Sequence, residues 1–241
     1  MSGRAKHIGI AGVTSEGALL CVRTIQNLAE TRLPADLRPE VSLHLHPFPE
    51  YFGALSRGDW PTIVALLVGS IGKLHSIGAE FAIIPANVVH FSFDEIARAA
   101  PIPLLSLVEA TAGESEERGY RKVAVLGTRW TMRDGLYEAP LRRRGIEPVV
   151  PDEAEQVAIQ SIIEHELIAG QVRAASTARL LAVVSRLAAA GCQAMVLACT
   201  ELPLALNEAN CGVPVIDTTR LLGERALAHS QPSQASQASQ P

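Results

Sequence analysis

Apolar residues occur along the chain in short continuous runs, each bounded by turn residues and separated by longer segments of helical periodicity. Continuous runs of this length are typical of strands that are buried on both faces. They predict eight strands, near residues 7–12, 41–46, 81–85, 102–106, 123–127, 147–150, 194–198 and 213–216. Helical patterns lie between them, near residues 16–31, 60–77, 92–99, 132–144, 154–168, 174–190, 203–209 and 219–228. This alternation predicts an α/β fold with doubly wound parallel sheets.

An internal repeat divides this pattern into two similar halves. The segment GAEFAIIPAN at residues 78–87 resembles GCQAMVLACT at residues 191–200, an offset of 113. Upstream, IGIAGVT at residues 8–14 resembles VAVLGTR at residues 123–129, an offset of 115. We therefore expect two pseudo-symmetric domains with a site in the cleft between them. The predicted boundaries are 1–107 plus 218–229 for the first domain and 108–217 for the second, with a disordered Ser/Gln/Ala tail at 230–241.

Composition excludes several classes of protein. The chain has 241 residues, 48% of them hydrophobic, and a net charge of −4. This apolar content is too high for a wholly disordered chain, and no basic stripe is available to bind nucleic acid. No apolar run approaches the ~18 residues that span a membrane, and the N-terminus does not resemble a signal peptide. Together with four irregularly spaced cysteines and no CxxC pair, this predicts a cytoplasmic protein that is not bound to a membrane.

The common cofactor and metal motifs are absent. Neither GxGxxG nor GxxxxGK[ST] occurs, and no His, Asp, Glu or Cys pair has recognisable metal spacing. The chain has only three lysines, all near predicted element ends, which argues against a Schiff-base cofactor. We therefore expect a small-molecule partner, no cofactor and no metal.

Ligands of open α/β sheets bind outside the carboxyl ends of the strands. Four strand ends would supply the site: residues 12–16, 86–90, 127–131 and 199–201. Cys199 follows a buried strand and precedes Pro203, so a helix start would lower the pKa of its thiol and make it an acid, a base or a nucleophile. The alternative is a buried cysteine that acts as a small apolar residue.

Small polar side chains lie at the other strand ends. Thr14, Ser15, Asn87, Thr128 and Thr131 could form a cradle for a carboxylate, although such residues are also ordinary helix caps. His90 could act as an acid or a base, or could be a hydrogen-bonded packing residue.

These residues resemble the aspartate/glutamate racemase family of cofactor-independent enzymes. The resemblance extends from His7 to Ala228 and is most specific at residues 198–204, which read A-C-T-E-L-P-L like the family's second cysteine motif. Three further segments are similar to the family's sequences: residues 125–131, the glycine loop at 9–16 and the closing strand at 215–218. The resemblance implies a homodimer, with Cys199 as acid/base and Glu201 orienting or polarising its thiol. It also implies substrate contacts at Thr14, Ser15, Asn87, Val88, Thr128, Thr131 and Thr200.

The chain departs from the family at its first cysteine motif, which reads roughly C-N-T-x-H. Here residues 86–90 read A-N-V-V-H, and the internal repeat independently aligns Ala86 with Cys199. The family mechanism is implied to use two thiols on opposite faces of the α-carbon, and a methyl group can neither take nor give a proton. Three explanations remain open: an engineered replacement, a natural chain in which water or His90 supplies the second proton, and a one-cysteine reaction like that of arylmalonate decarboxylase.

The basic residues that bind an acidic side chain in relatives are also missing. Residues 46–49 read H-P-F-P where some aspartate racemases place an arginine, and Gln171 replaces a common lysine. Arg129 or Arg173 could compensate. The leading hypothesis is an amino-acid racemase of the Asp/Glu type, impaired or one-base because of Ala86. The alternatives are a one-cysteine decarboxylase or isomerase of a small dicarboxylic acid, and a non-catalytic carboxylate-binding protein.

Overall fold

In a computed structural model, which describes residues 4–133 and 135–232, the chain divides into two compact units. One unit comprises the residues up to Leu107 together with those from Leu222 onward, and the other comprises Val108–Leu221. Each contains one four-stranded parallel sheet. The α/β fold with two parallel sheets predicted from the sequence is confirmed.

The first sheet has the strand order β2-β1-β3-β4. Its strands are β1 (Ile8–Gly12), β2 (Val41–Leu45), β3 (Phe81–Ile83) and β4 (Leu104–Leu105). Its helices are α1 (Ser15–Arg32), α2 (Phe48–Arg57), α3 (Trp60–Ser76) and α4 (Phe93–Ala99), and a 3-10 helix, Val88–Ser92, precedes α4. The core forms because α3 places apolar side chains three and four positions apart against the sheet, whose central strands β1 and β3 are fully buried.

The second sheet has the strand order β6-β5-β7-β8. Its strands are β5 (Lys122–Gly127), β6 (Glu147–Val149), β7 (Ala194–Ala198) and β8 (Val215–Asp217). Its helices are α5 (Leu107–Glu117), α6 (Arg129–Arg133), α7 (Glu138–Arg142), α8 (Glu153–His165), α9 (Ala174–Ala189) and α10 (Glu208–Cys211). The last helix, α11 (Thr218–Ser230), begins in this unit and continues into the first.

The two sheets repeat each other in strand order and in pairing register. Ile10 pairs with Ile83 in the first sheet, and Val125 pairs with Val196 in the second. These pairs are related by the offsets of 115 and 113 that the sequence repeat shows. The β3–β4 and β7–β8 registers correspond in the same way. The internal repeat is therefore a structural duplication.

Two helices were not predicted. In α2, Pro49 lies in the first turn and Pro47 directly precedes the helix, and its buried face consists of only Tyr51 and Ala54. In α5, part of the buried face is polar, because Thr111 and Ser115 are fully buried. Ser115 satisfies its hydroxyl by donating to the Thr111 carbonyl, so a polar pattern conceals a core-facing helix.

Two predicted helices are wrong in extent. The helix predicted at 132–144 is divided into α6 and α7, with Gly135 between them at φ 71°. The helix predicted at 203–209 is replaced by a short 3-10 helix, Leu202–Leu204, and the four-residue α10. The predicted helix is interrupted at Asn207, because this residue has an extended backbone and its side chain caps the start of α10.

The C-terminal boundaries also differ from those predicted. Residues 218–221 belong to the second unit, where the Thr218 hydroxyl donates to the Leu197 carbonyl of β7, and the first unit resumes at residue 222. Ser230, predicted to start a disordered tail, ends α11 as a buried residue whose carbonyl accepts from Lys6 N. The rest of that predicted tail, from residue 233 onward, lies outside the described residues.

Candidate active site

The carboxyl ends of β5 and β7 lie side by side in the second unit. Gly127 is the register partner of Ala198, and the chain continues from these residues into Thr128 and Cys199. The strands are so close here that a Cβ on Gly127 would lie 2.6 Å from the Ala198 carbonyl oxygen. Glycine is therefore required at this point, and its absence of a side chain brings the threonine loop beside the cysteine loop.

Cys199 forms a hydrogen-bonded pair with Glu201. The thiol is 6% exposed, and it donates to Glu201 Oε2 over a distance of 3.0 Å. The 3-10 helix that begins at Leu202 turns the chain immediately after the strand and allows the carboxylate to reach back. The sequence-predicted pairing of these two motif residues therefore has a direct contact in the structure.

The pKa of the Cys199 thiol lies well above its usual value. Burial is the main cause, and the negative charge of Glu201 and its hydrogen bond to the sulfur add to it. The backbone N–H groups of Glu201 and Leu202 act in the opposite direction, but they do not overcome these causes. The backbone donors thus lower the pKa as predicted for a helix start, but the net shift is in the opposite direction, and the free protein carries a neutral thiol.

Three hydroxyl groups follow the carboxyl ends of β5 and β7, on the loops or, for Thr131, in α6. Thr128 Oγ1 and Thr131 Oγ1 are 2.8 Å apart, and Thr131 is buried while Thr128 is partly exposed. Thr200, which follows the cysteine, is also partly exposed. Because one of the two paired hydroxyls must donate to the other, the pair retains one hydrogen that can be offered to a further acceptor.

Gln160 supports this loop and was not identified from the sequence. It lies in α8, where its buried side chain accepts the Arg129 N–H over 2.7 Å and donates to Glu164 over 2.7 Å. The bond fixes the backbone immediately after Thr128. No motif marked this residue, since a polar position inside a helix carries no signal of a contact 31 positions away.

In the first unit, Ala86 occupies the position equivalent to Cys199. It follows β3 at the offset of 113 that the pairing registers confirm, and it is buried. Asn87 is also buried and makes interactions of its own, while Val88 is partly exposed at the start of the 3-10 helix. The alanine therefore places a methyl group where the second unit places a thiol.

His90 uses both ring nitrogens to hold backbone groups. Nδ1 donates to the Ala86 carbonyl over 2.8 Å, and Nε2 accepts the Leu107 N–H over 3.1 Å. Its ring stacks on Phe93, with centroids 5.1 Å apart. Burial lowers the pKa of His90 to about 4, so the ring is neutral at pH 7. The acid–base role predicted for His90 would require one of these bonds to break.

Thr14 and Ser15 lie at the start of α1, at the carboxyl end of β1. Thr14 caps the helix by accepting the Gly17 N–H over 3.2 Å, and Ser15 is exposed. The capping role considered for Thr14 is thus present in the structure. Thr14 remains partly exposed, so the second lone pair and the hydroxyl hydrogen are available.

Other sequence-based expectations can be placed more briefly. Cys21, Cys192 and Cys211 are buried free thiols that lie in α1, before β7 and at the end of α10, respectively. Within residues 4–133 and 135–232, no group of three or more His, Cys, Asp or Glu side chains has the geometry to hold a metal ion. In the same part of the chain, no helix combines the length and the apolar character that a membrane crossing needs.

Comparison with known proteins identifies the family. The sequence model described as Asp/Glu/hydantoin racemase matches residues 10–226. The chain therefore belongs to the Asp/Glu/hydantoin racemase family. Its similarity to the aspartate/glutamate racemases in the sequence is confirmed, and the match covers both repeated halves.

Individual proteins described as racemases or racemase homologues are also similar to this chain. The broad specificity amino-acid racemase RacX of Bacillus subtilis (strain 168) is 27% identical over 164 residues, which cover 68% of this chain and 70% of RacX. A Yersinia pestis protein described as a candidate Asp/Glu racemase is 31% identical, with a TM-score of 0.86 over 93% of this chain and 99% of that one. An aspartate racemase homologue from Pyrococcus horikoshii is 29% identical, with a TM-score of 0.82 and the same coverage.

Proposed function

We propose that this member of the racemase family inverts or exchanges the α-proton of an amino acid without a cofactor, with Cys199 as the proton-transferring group. The observation that carries the proposal is the Cys199–Glu201 hydrogen bond at the carboxyl end of β7. The thiol lies in the loop beside a pair of threonine hydroxyls, in a chain whose relatives include amino-acid racemases. Acid–base catalysis needs such a titratable group held by a second one.

The Cys199–Glu201 pair holds one proton that can move within it. In the free protein this proton is on sulfur, because burial and the adjacent carboxylate disfavour the thiolate. Transfer to Glu201 would give a thiolate and a carboxylic acid without changing the net charge of the pair. The thiolate can then take the α-proton, and the thiol form can return a proton to the carbanion.

The nearby hydroxyls supply the stabilisation that this reaction needs. Removing a proton next to a carboxylate places negative charge on the carboxylate oxygens as an enediolate forms. Donors fixed at those oxygens lower the barrier, and loss of one such donor typically costs about 10²–10³-fold in rate. We assign this role to Thr128, Thr131 and Thr200, and Asn87, Val88, Thr14 and Ser15 stay predictions as further substrate contacts.

Ala86 makes the proposed reaction asymmetric. A two-base racemisation needs a proton-transferring group for each face of the α-carbon, and the position equivalent to Cys199 has none. The ring of His90 is engaged with Ala86 and Leu107 backbone groups, so it does not substitute directly. We therefore propose that exchange proceeds on one enantiomer much faster than on the other.

The test is α-proton exchange in heavy water, followed by NMR, on both enantiomers of a panel of amino acids. We expect exchange of one enantiomer, its loss in Cys199→Ala, and exchange of both enantiomers in the double variant Ala86→Cys/Val88→Glu, which copies the Cys199–Glu201 pair at the equivalent positions. Cys211→Ala, which removes another buried thiol, serves as the matched control and should leave exchange unchanged. Exchange that survives in Cys199→Ala would refute the proposal, and binding without exchange in every variant would indicate a binding protein.

A second function is favoured by Ala86 itself. A one-base enzyme needs only Cys199 if the carbanion arises by loss of carbon dioxide instead of a proton. The thiol would then protonate the enediolate, and solvent would restore the proton to sulfur. Release of carbon dioxide from a substituted malonate, with no exchange of amino-acid α-protons, would favour this decarboxylase over the racemase.

We also propose a cytoplasmic homodimer, as the family resemblance and the free buried thiols suggest. Light scattering coupled to size-exclusion chromatography measures the mass directly. A mass of about 25.7 kDa, that of one chain, would contradict the dimer. Recovery of the protein in the membrane or secreted fraction of cells would contradict the location.

A further inference from the structure

The short helix α6 holds the hydroxyl pair formed by Thr128 and Thr131. It spans only Arg129–Arg133, with Thr128 directly before it and Thr131 inside it. A helix of this length is not stable by itself in water, and the first N–H groups of a helix have no acceptor within it. The position of the hydroxyl pair therefore depends on what contacts α6 from elsewhere in the second unit.

The equivalent helix of the first unit, α1, is much longer. At the offset of 115, Arg129 corresponds to Thr14, and α1 begins at the next residue and has 18 residues. Thr14 caps it by accepting the Gly17 N–H over 3.2 Å. The second unit keeps the strand and the turn after it but has a single helical turn in place of the long helix. A contact from outside the helix has to supply the stability that length supplies in α1.

Gln160 makes such a contact at the start of α6. It lies in α8 and is 7% exposed, and its Oε1 accepts the Arg129 N–H over 2.7 Å. Within the turn itself, the Met132 N–H donates to the Thr128 carbonyl over 3.0 Å. The Met132 side chain belongs to the same buried apolar cluster as Ile159, the neighbour of Gln160. Thus α6 packs on α8, and Gln160 supplies the hydrogen bond at its first residue.

Glu164 fixes the orientation of the Gln160 amide. Gln160 Nε2 donates to Glu164 Oε1 over 2.7 Å, one turn further along α8. An ionised carboxylate can only accept and a backbone N–H can only donate, so the two partners determine which end of the amide faces α6. A reversed amide would place two donors together at Arg129 and two acceptors together at Glu164. The bond to α6 therefore depends on the bond within α8.

We propose that Gln160 is a positioning residue for the Cys199 site, and that Glu164 holds the Gln160 amide in the orientation this role needs. The inference rests on the proposed function, in which the hydroxyl pair stabilises the enediolate. Gln160 acts through the backbone at Arg129. Donors aimed at a developing charge contribute only where they are fixed in place, and a displacement of about 1 Å can cost about 10²-fold in rate.

The first test separates kcat from KM by NMR in heavy water, with α-proton exchange measured over a range of concentrations of the amino acid that exchanges fastest. Gln160→Met keeps the length of the side chain and removes both polar atoms. In this variant kcat should fall about tenfold or more while KM changes less than about threefold, because the hydroxyls act on charge that develops in the transition state. Circular dichroism measures the folded fraction, to which kcat is normalised.

The matched control is Gln193→Met. The Oε1 atom of Gln193 accepts the N–H groups of Arg121 and Lys122, over 2.6 and 3.1 Å, at the opposite end of β5. This variant loses comparable bonds between a glutamine and the backbone, but it leaves α6 untouched. Its kcat should stay within about twofold of that of the unmodified protein, as expected for a distant site.

A reciprocal swap of the two α8 side chains tests the orientation of the amide. Gln160→Glu places two carboxylates one turn apart and should lower kcat as Gln160→Met does. The double variant Gln160→Glu/Glu164→Gln restores one donor facing one acceptor and leaves an oxygen for the Arg129 N–H. Its kcat should return to within about threefold of the unmodified value. An unchanged kcat in Gln160→Met, or a double variant as slow as Gln160→Glu, would overturn the proposal.

Amide hydrogen exchange separates this proposal from the function on which it rests, because it needs no turnover. Gln160→Met should speed exchange of the Arg129 and Met132 N–H groups about tenfold or more, and the double variant should restore their protection. If the unmodified protein exchanges no α-proton, the proposed function fails, and this pattern still shows whether Gln160 positions α6. Unchanged amide protection would overturn the positioning role whether or not the protein is a racemase.

Discussion

Replacement of Gly127 by alanine should disturb both the stability of the second unit and the geometry of its thiol. The added Cβ would lie 2.6 Å from the Ala198 carbonyl oxygen, 3.1 Å from its carbon and 3.3 Å from the Ala198 Cβ. An ordinary contact would be about 3.4 Å, so β5 and β7 must separate by several tenths of an ångström. Both strands are buried, and the two nearest of these atoms belong to the Ala198 backbone, so no flexible side chain can yield.

We expect Gly127→Ala to lower the free energy of unfolding by about 1–3 kcal/mol, the usual effect of forcing extra atoms into a packed core. Because Thr128 and Cys199 follow the separated residues, α-proton exchange should fall by about tenfold or more even where the protein is fully folded. Urea denaturation followed by circular dichroism measures the first effect, and NMR in heavy water measures the second.

The matched control for this prediction is Gly113→Ala. Gly113 lies in α5 of the same unit, and a Cβ there would meet nothing within 4 Å. Alanine favours a helix over glycine, so this variant should be more stable by about 0.5–1 kcal/mol and should retain its exchange rate. If Gly127→Ala were as stable and as active as the parent, the close approach of β5 and β7 would have no role in the site.

The remaining predictions concern protonation and hydrogen bonding. Glu201→Gln removes a negative charge that raises the pKa of Cys199, so alkylation of this thiol should extend to lower pH. The rate of α-proton exchange should fall about 10²-fold or more, because the proton acceptor is lost. An unchanged pH profile of alkylation would refute this reasoning. The pKa of His90 is about 4 in the folded state against 6.5 for an ordinary histidine, so the folded state binds this proton more weakly. About 3 kcal/mol of stability should therefore be present above pH 6.5 and be lost progressively as the pH falls to 4. This loss should be absent in His90→Asn, measured by urea denaturation across that range. Thr131→Val removes the partner of the Thr128 hydroxyl and should lower the free energy of unfolding by about 1–2 kcal/mol. In this variant kcat should fall by a larger factor than the factor by which KM changes. An unchanged kcat would exclude the hydroxyl pair from catalysis.

The central strands β1, β3, β5 and β7 could be predicted from the sequence because they are nearly continuous apolar runs that the parallel sheets bury almost completely. The same criterion failed for α5, whose buried face includes Thr111 and Ser115. It also failed for α2, where proline and aromatic residues conceal the helix. Helix limits near Gly135 and Asn207 depended on a positive φ and a side-chain cap, which periodicity does not report.

The sequence predicted which residues lie near each other at the candidate site better than it predicted the burial and hydrogen bonds of each residue. Cys199 and Glu201 are two positions apart, so a local motif was sufficient to predict that they meet. The environment of His90 could not be predicted in this way, because one of its partners is the Leu107 N–H, 17 residues away. Its neutral state follows from its burial, which a local motif does not report. The sign of the Cys199 pKa shift could not be inferred either, since it depends on the balance of desolvation against backbone donors.

Because the pairing register is the same in both sheets, each residue at a strand end in one unit has an equivalent position in the other. At the offset of 113, Val88 occupies the position of Glu201, as Ala86 occupies that of Cys199. A thiol restored at residue 86 alone would therefore lack the carboxylate that accompanies its counterpart. Copying the pair takes two side-chain exchanges, Ala86→Cys and Val88→Glu, on a backbone whose strand order already matches. Because the two sheets match in strand order and register, a second proton-transferring pair can be designed by side-chain exchange without altering either sheet.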